Sequence, residues 1–196
     1  MTTLLIVRHG ETAWNSEGRF QGQTDIPLNE LGRAQARQLT ERLARDPIAA
    51  VYASDLQRAI ETARPLAESR GLPVVTDSRL REVSFGSWEG LTFAEVKQRH
   101  PVEAEGWLRD PARNRPRDAE SRASLVERLM AMLREIAATH DGQTVAVVTH
   151  GGPVKCAVMC ALEANDSAWK HLRVDNATVA RLGWRNGQFE VVGLTN

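Results

Sequence analysis

Two cysteines, Cys156 and Cys160, are all that this 196-residue sequence offers for disulfides or thiolate ligands. They stand four apart on an expected helix, with no further cysteine to complete a metal site. They read as a packed thiol pair in a reducing compartment rather than a redox couple. Net charge is also missing, since 25 Lys and Arg balance 25 Asp and Glu. This argues against a nucleic-acid binder that works through bulk charge, while leaving room for a local basic site. No apolar run approaches the ~18 residues of a membrane span. Met1-Thr2-Thr3 leads straight into Leu4 to Val7 without the basic and apolar regions of a secretory leader. The expected location is therefore cytoplasmic, with no membrane partner. Repeats and low-complexity tracts are absent too. The ordinary balance of 42% hydrophobic and 26% charged residues suits one globular domain, 1–196, with its own core.

Leu4 to Val7 is a short aliphatic run closed by Gly10 and reads as a buried strand. Leu31, Ala34, Ala36, Leu39 and Leu43 approximate helical spacing, which predicts an amphipathic helix from Asn29 to Arg45. A second strand is expected over Ala49 to Ala53. Ser54-Asp55 then serves as the cap of a helix running to about Arg70, where Gly71 stops it; Pro65 is expected to kink or divide that helix. Pro73 to Val75 reads as a third strand and Thr92 to Arg99 as a short helix. The stretch from Pro101 to Arg117, rich in Pro, Arg and Asp, reads as irregular. It gives a lid-like excursion at about 100–121. A long helix is expected from Asp118 to Thr139, a buried strand from Thr144 to Val148, and a helix from Gly151 to Leu162. Two alternating runs, Ala177 to Trp184 and Phe189 to Leu194, flank Asn186-Gly187, a strong hairpin signal. Strands alternating with helices predict an α/β fold: a three-layer αβα sandwich with a mainly parallel sheet and an antiparallel edge strand. Such an open edge could also pair two subunits, so a homodimer is an open expectation.

Three of these strands end in reactive-looking residues: Arg8-His9-Gly10-Glu11-Thr12, Ser54-Asp55 with Arg58 beyond it, and Thr149-His150-Gly151-Gly152. Ligands of open parallel sheets bind beyond the carboxyl ends of the strands. Glycine there lets backbone approach a ligand closely, and a helix starting near Gly152 offers free N–H groups to an anion. Arg58 lies in the first turn of its helix, where the dipole disfavours a cation by about 0.3–1 kcal/mol. A surface pair with Glu61 at i+3 is the plain explanation, and a bound dianion is the better one. Two strand-end histidines and two arginines together suggest a phosphate site. His100, His140 and His171 lack such surroundings and read as surface or structural. No His, Cys, Asp or Glu set has convincing ligand spacing, so neither metal nor cofactor is expected.

The segment Arg8 to Thr12 with Trp14-Asn15 resembles the opening motif of the histidine phosphatase superfamily, also called the phosphoglycerate mutase-like family. The likeness continues through Phe20-Gln21-Gly22, Asp25-Ile26-Pro27-Leu28-Asn29, Leu31-Gly32 and Ser54-Asp55-Leu56-Gln57-Arg58-Ala59. Leu80-Arg81-Glu82 and Gly86-Ser87-Trp88-Glu89-Gly90 follow, and Thr149-His150-Gly151-Gly152 closes the series. The motifs run from Arg8 to Gly152 in the family's order.

This resemblance implies that His9 is a nucleophile forming a phosphohistidine. It implies that Arg8, Arg58 and a cationic His150 bind the phosphoryl oxygens with help from Asn15, and that Gln21, Gly22 and Gly151 belong to the substrate-binding surface. By the same likeness Glu82 is the proton donor to the leaving oxygen and then the base for water. Taken alone, Glu82 would be a surface carboxylate beside Arg81. The chemistry suits the residue types. A neutral imidazole is a good nucleophile near pH 7, and forked cations stabilise charge on the equatorial oxygens.

One departure is the stretch Pro116-Arg117-Asp118-Ala119-Glu120-Ser121, where the family often has a glycine pair before Glu-Ser. Arg109, Arg113, Arg115 and Arg117 there suit either a substrate with a second anionic group or a solvated charged loop. Trp107 reads as a packing residue. The resemblance implies a phosphatase acting on a small phosphorylated metabolite. The alternatives are a cofactor-dependent phosphoglycerate mutase, typically a longer chain, and a non-catalytic phospho-ligand-binding domain, which would need neither nucleophile nor proton donor.

Overall fold

The computed structural model describes residues 1–111, 114–116, 118–165, 169 and 171–195. The first strand, β1 (Thr2–Arg8), alternates its burial between two cores. Leu4 and Ile6 enter one hydrophobic cluster, Leu5 and Val7 the other, because successive strand side chains point to opposite faces. The strand β4 (Thr144–Thr149) does the same with Val145 and Val147 against Ala146 and Val148. A strand apolar on both faces must be covered on both, and helices supply the cover. Helices α6 (Arg122–Thr139) and α7 (Gly151–Ala161) pack on one face. Helices α2 (Glu30–Arg42) and α3 (Gln57–Glu68) pack on the other. The result is the expected three-layer sandwich.

The sheet order is β3-β2-β4-β1-β5-β6, with β2 at Ile48–Ala53, β3 at Val74–Thr76, β5 at Val179–Arg185 and β6 at Gln188–Thr195. The pairs β1–β4, β2–β4 and β2–β3 are parallel. The pair β1–β5 is antiparallel, and so is the terminal hairpin β5–β6. Asn186 and Gly187 take φ of 52° and 82° in its two-residue turn, as a primed turn requires.

Several element ends differ from expectation. Ser54 and Asp55 do not cap α3: the helix starts at Gln57, whose N–H donates to Asp25 Oδ1 at 2.8 Å. Asp55 instead forms a forked pair with Arg81. Pro65 lies inside α3 without dividing it. The long helix begins at Arg122, not Asp118, on the Ser121 side-chain cap.

The stretch after Pro101 was expected to be irregular. It holds a helix, α5 (Pro101–Arg109), directly after α4 (Phe93–Arg99). Pro101 occupies the first turn, where its missing N–H costs nothing. Ala104 and Trp107 join Phe20, Phe85 and Trp88 in an aromatic cluster, with Trp88 and Trp107 5.3 Å apart. The helix is held by that tertiary contact, which a weakly periodic sequence does not reveal. A short helix α1 (Ala13–Ser16) carries Trp14 and Asn15. The cysteines do not form the expected packed pair, since Cys156 is buried and Cys160 exposed. Burial pushes the Cys156 thiol up to about 12.

Candidate active site

The parallel pairing of β1 and β4 sets Arg8 opposite Thr149, and the His9 N–H extends the ladder by donating to the Thr149 carbonyl at 2.9 Å. The next residue on each strand is a histidine. Register alone therefore brings His9 and His150 together, with ring centroids 5.1 Å apart and planes inclined by 66°.

Both rings are buried, and a definite bond fixes each. His9 Nδ1 lies 2.6 Å from the Gly10 carbonyl oxygen, to which only a protonated Nδ1 can donate. Its Nε2 is left as a lone-pair nitrogen. His150 Nδ1 accepts from Arg58 Nε at 3.2 Å, so His150 carries its proton on Nε2. Burial, reinforced by Arg58 and Arg8, holds His9 well below the ordinary imidazole range; burial, Arg58 and His9 do the same to His150. The expected cationic His150 is thus corrected for the ligand-free protein. The arginine at its Nδ1 needs a lone pair there and opposes a second proton.

Arg58 is fully buried. Besides His150 it donates to the carbonyls of Thr24 at 2.8 Å and Gly22 at 2.7 Å. Burial lowers it to about 10, which leaves it charged at neutral pH. Glu61 is not its partner and accepts instead from the Leu28 N–H. Gly22 has φ of +53°, and a Cβ there would collide with the Glu89 carboxylate. This turn needs glycine, and the turn aims the carbonyl that steadies Arg58.

Arg8 donates through Nη1 to the Val174 carbonyl at 2.8 Å. Its Nε is buried with no partner, and the same holds for His150 Nε2. Two buried donors beside a neutral nucleophilic nitrogen form a cradle for an anion, since orphaned buried donors are rare and costly. Gly151 abuts Arg8, with its Cβ position 3.5 Å from Arg8 Nε. Asn15 Oδ1 accepts from the Thr12 N–H and from Asn176 Nδ2, each at 3.2 Å. That directs the amide's own donors elsewhere. Gln21 is buried and accepts the Thr12 hydroxyl at 3.0 Å.

Glu82 joins the group from the loop after a 3₁₀ turn at Ser78–Leu80. Its Oε2 accepts from the Gly152 N–H at 3.1 Å, and its Oε1 from the Val83 N–H at 2.9 Å. Three participants carried no sequence signal. Arg128 donates to the carbonyls of Arg79, Arg81 and Glu82 at 2.7–3.0 Å and pairs with Glu120 at 2.7 Å, which clamps the Glu82 backbone. Glu120 in turn exchanges backbone and side-chain bonds with Ser84. Asn176 donates to the His9 carbonyl at 3.0 Å. Thr62 Oγ1 accepts the Gly10 N–H and donates to the Arg58 carbonyl. On a helix or before a hairpin such residues look like solvated polar positions, and only packing shows where they point.

His140 bonds to Tyr52 and Gln143, His100 lies 3.8 Å from Glu103, and His171 is exposed. None approaches the site. Of the four loop arginines, Arg109 is exposed and paired with Glu105, Arg115 donates to the Glu120 carbonyl at 2.9 Å, and Arg113 and Arg117 lie outside the described residues. Among the described residues no group of three or more His, Cys, Asp or Glu is placed to hold a metal ion, and no helix is long and apolar enough to cross a membrane. A groove of about 770 Å³ over Arg33, Arg37 and Arg64 lies away from the imidazoles. Chemistry, not size, marks the site.

The profile of the histidine phosphatase superfamily (branch 1) matches residues 4–196. The chain belongs to that superfamily. It is 36% identical over 179 residues to phosphoserine phosphatase 1 of Hydrogenobacter thermophilus, covering 91% of this chain and 84% of that protein. The structure of Bacillus stearothermophilus YhfR superposes with a TM-score of 0.91 at 34% identity, covering 98% of this chain and 96% of that one. A phosphoserine phosphatase variant from Entamoeba histolytica, in complex with phosphoserine, gives a TM-score of 0.85 at 27% identity over 99% and 96% of the two chains.

Proposed function

We propose that this protein is a phosphatase that hydrolyses a small phosphorylated metabolite through a phosphohistidine on His9, without metal or cofactor. The supporting observation is the pair of buried, unpartnered donors, His150 Nε2 and Arg8 Nε, beside a neutral His9 whose Nε2 lone pair is free. In this reading the phosphoryl group sits among His9, His150, Arg8 and Arg58, with Asn15 and the Gly151 backbone completing the cradle. His9 Nε2 attacks phosphorus as the ester P–O bond breaks, and Glu82 delivers its proton to the leaving alkoxide. Glu82 then takes a proton from water as the water oxygen attacks phosphorus and the P–N bond breaks, which returns His9 and releases phosphate. The donors act on charge that spreads over the equatorial oxygens, where preorganised groups matter most. Gln21 and Gly22 serve the site through Thr12 and Arg58. A cytoplasmic location and a homodimer through the open β6 edge complete the reading.

The test is hydrolysis of p-nitrophenyl phosphate. The wild-type protein turns it over in the presence of EDTA and is inhibited by vanadate, and rapid quench traps an acid-labile phosphoenzyme that His9→Ala lacks. Loss of turnover on chelation, or no phosphoenzyme in the wild type, defeats the mechanism. Interconversion of phosphoglycerates stimulated by 2,3-bisphosphoglycerate would make it a mutase instead.

A further inference from the structure

The loop that carries His9 is pressed against the start of α2. A Cβ on Gly10 would meet the Gly32 carbonyl, and one on Gly32 would meet the Glu11 backbone. Close approach therefore requires glycine at position 10, the residue type whose two torsions are least restrained. Yet the Gly10 carbonyl is the group that holds the His9 Nδ1 proton, at 2.6 Å. Local backbone preference cannot keep that carbonyl aimed. Side chains from elsewhere must.

Two helices supply them. The Gly10 N–H donates to Thr62 Oγ1 on α3 at 2.9 Å, and that hydroxyl donates to the Arg58 carbonyl at 2.7 Å. This pins the peptide before Gly10. The peptide after it is gripped from α2, where Gln35 Oε1 accepts the Glu11 N–H at 2.8 Å. The Gly10 carbonyl and the Glu11 N–H are two ends of one planar unit. This peptide is trans, so the two ends point in opposite directions. Holding the N–H at Gln35 thus turns the carbonyl toward His9. On the far side of Glu11, the Asn29 N–H donates to its carbonyl at 3.0 Å and the Asn29 amide to its carboxylate at 2.8 Å. Imidazole, peptide and Gln35 amide form one chain of hydrogen bonds, in which each bond polarises the next.

We propose that Gln35, on α2 and outside the cradle, is a positioning residue that selects the nucleophilic tautomer of His9 by holding the Gly10–Glu11 peptide plane. This rests on the phosphatase reading, in which His9 Nε2 attacks phosphorus. A neutral histidine can carry its proton on either nitrogen. With the carbonyl aimed at Nδ1, the lone pair stays on Nε2. If the plane swings away, the proton is free to settle on Nε2 and the nucleophile is capped. The same bond steadies the phosphoenzyme. A ring phosphorylated at Nε2 keeps its Nδ1 proton and gains positive charge, which strengthens the donation to Gly10.

The test uses the full chain with histidine labelled in its rings with the NMR-active nitrogen isotope. Spectra are taken in phosphate-free buffer at about pH 8, above the ordinary histidine range. Ring signals that vanish in His9→Gln belong to His9. The wild type should show a protonated Nδ1 and a lone-pair Nε2. In Gln35→Leu, which has no acceptor, the Nε2 signal should move toward the protonated position. Rapid-quench formation of the phosphoenzyme should slow by about 10–100-fold, as when a histidine in a metal site loses the partner of its other nitrogen. Gln35→Met, which keeps an unbranched stem, should give the same signature. Gln35→Glu keeps an acceptor and should restore both tautomer and rate. An unchanged tautomer in the Leu and Met variants overturns the proposal, even if phosphorylation slows, because that pattern marks a merely structural role. So does a Gln35→Glu protein that behaves like Gln35→Leu. The tautomer is read without substrate, whereas phosphoenzyme formation by the wild type tests the phosphatase reading, so failure of one is distinguishable from failure of the other.

Discussion

Arg58 Nε donates to His150 Nδ1 across 92 residues of sequence, and that bond decides the tautomer of the second histidine. With Nδ1 occupied as an acceptor, the ring proton sits on Nε2, buried and without an acceptor of its own. The same arginine helps keep both imidazoles neutral. One buried cation thereby prepares both a nucleophile and a donor for the same anion.

The neutrality of the two rings gives stability a defined pH dependence. In the unfolded chain each histidine titrates near 6.5, whereas in the fold both stay neutral to well below it. Below about pH 6.5 the unfolded state therefore binds up to two more protons than the native one. Their contribution is complete above that pH and is lost as pH falls, at up to about 1.4 kcal/mol per pH unit for each ring. Urea unfolding from pH 7.5 to 5 in phosphate-free buffer should show this slope, and the His9→Gln, His150→Gln protein should show a distinctly flatter one. Equal slopes would mean that the rings titrate normally in the fold.

Gly152 tests the place of Glu82. A Cβ there would collide with Glu82 Oε1, and the residue lies in the first turn of α7 without a positive φ. Gly152→Ala should therefore cost little or no stability, since alanine favours a helix, while it pushes the carboxylate aside. Turnover of alkyl phosphates, whose leaving oxygen needs a proton, should fall by about 10²–10⁴. Hydrolysis of p-nitrophenyl phosphate should fall much less. Parallel losses on both substrates would remove Glu82 from the acid role.

Arg128 tests the support behind that carboxylate. Its side chain is 19% exposed and its partner Glu120 13%. Arg128→Met should cost about 3–5 kcal/mol in urea unfolding, because Glu120 is left unpaired in a sheltered place. Adding Glu120→Gln should recover part of the loss. Arg128→Lys should keep the charge but not the fork over three carbonyls, and kcat for alkyl phosphates should stay low. A loss below about 1 kcal/mol in Arg128→Met would mean that the pair behaves as a solvated one.

The sequence by itself determined the layers and the chemistry-bearing segments. A strand such as Leu4–Val7 is apolar at every position, which forces cover on both faces, and Asn186-Gly187 is a turn by local backbone preference. The motifs from Arg8 to Gly152 likewise marked which side chains to watch. Only the tertiary structure decided how those side chains are used. The protonation of His150, the clamp of Arg128 on Glu82 and the helix at Pro101–Arg109 depend on partners distant in the chain. Local periodicity records which face of an element is apolar. It carries no information about which polar group a buried donor meets, because that is fixed by how the packed layers bring remote residues within hydrogen-bond reach.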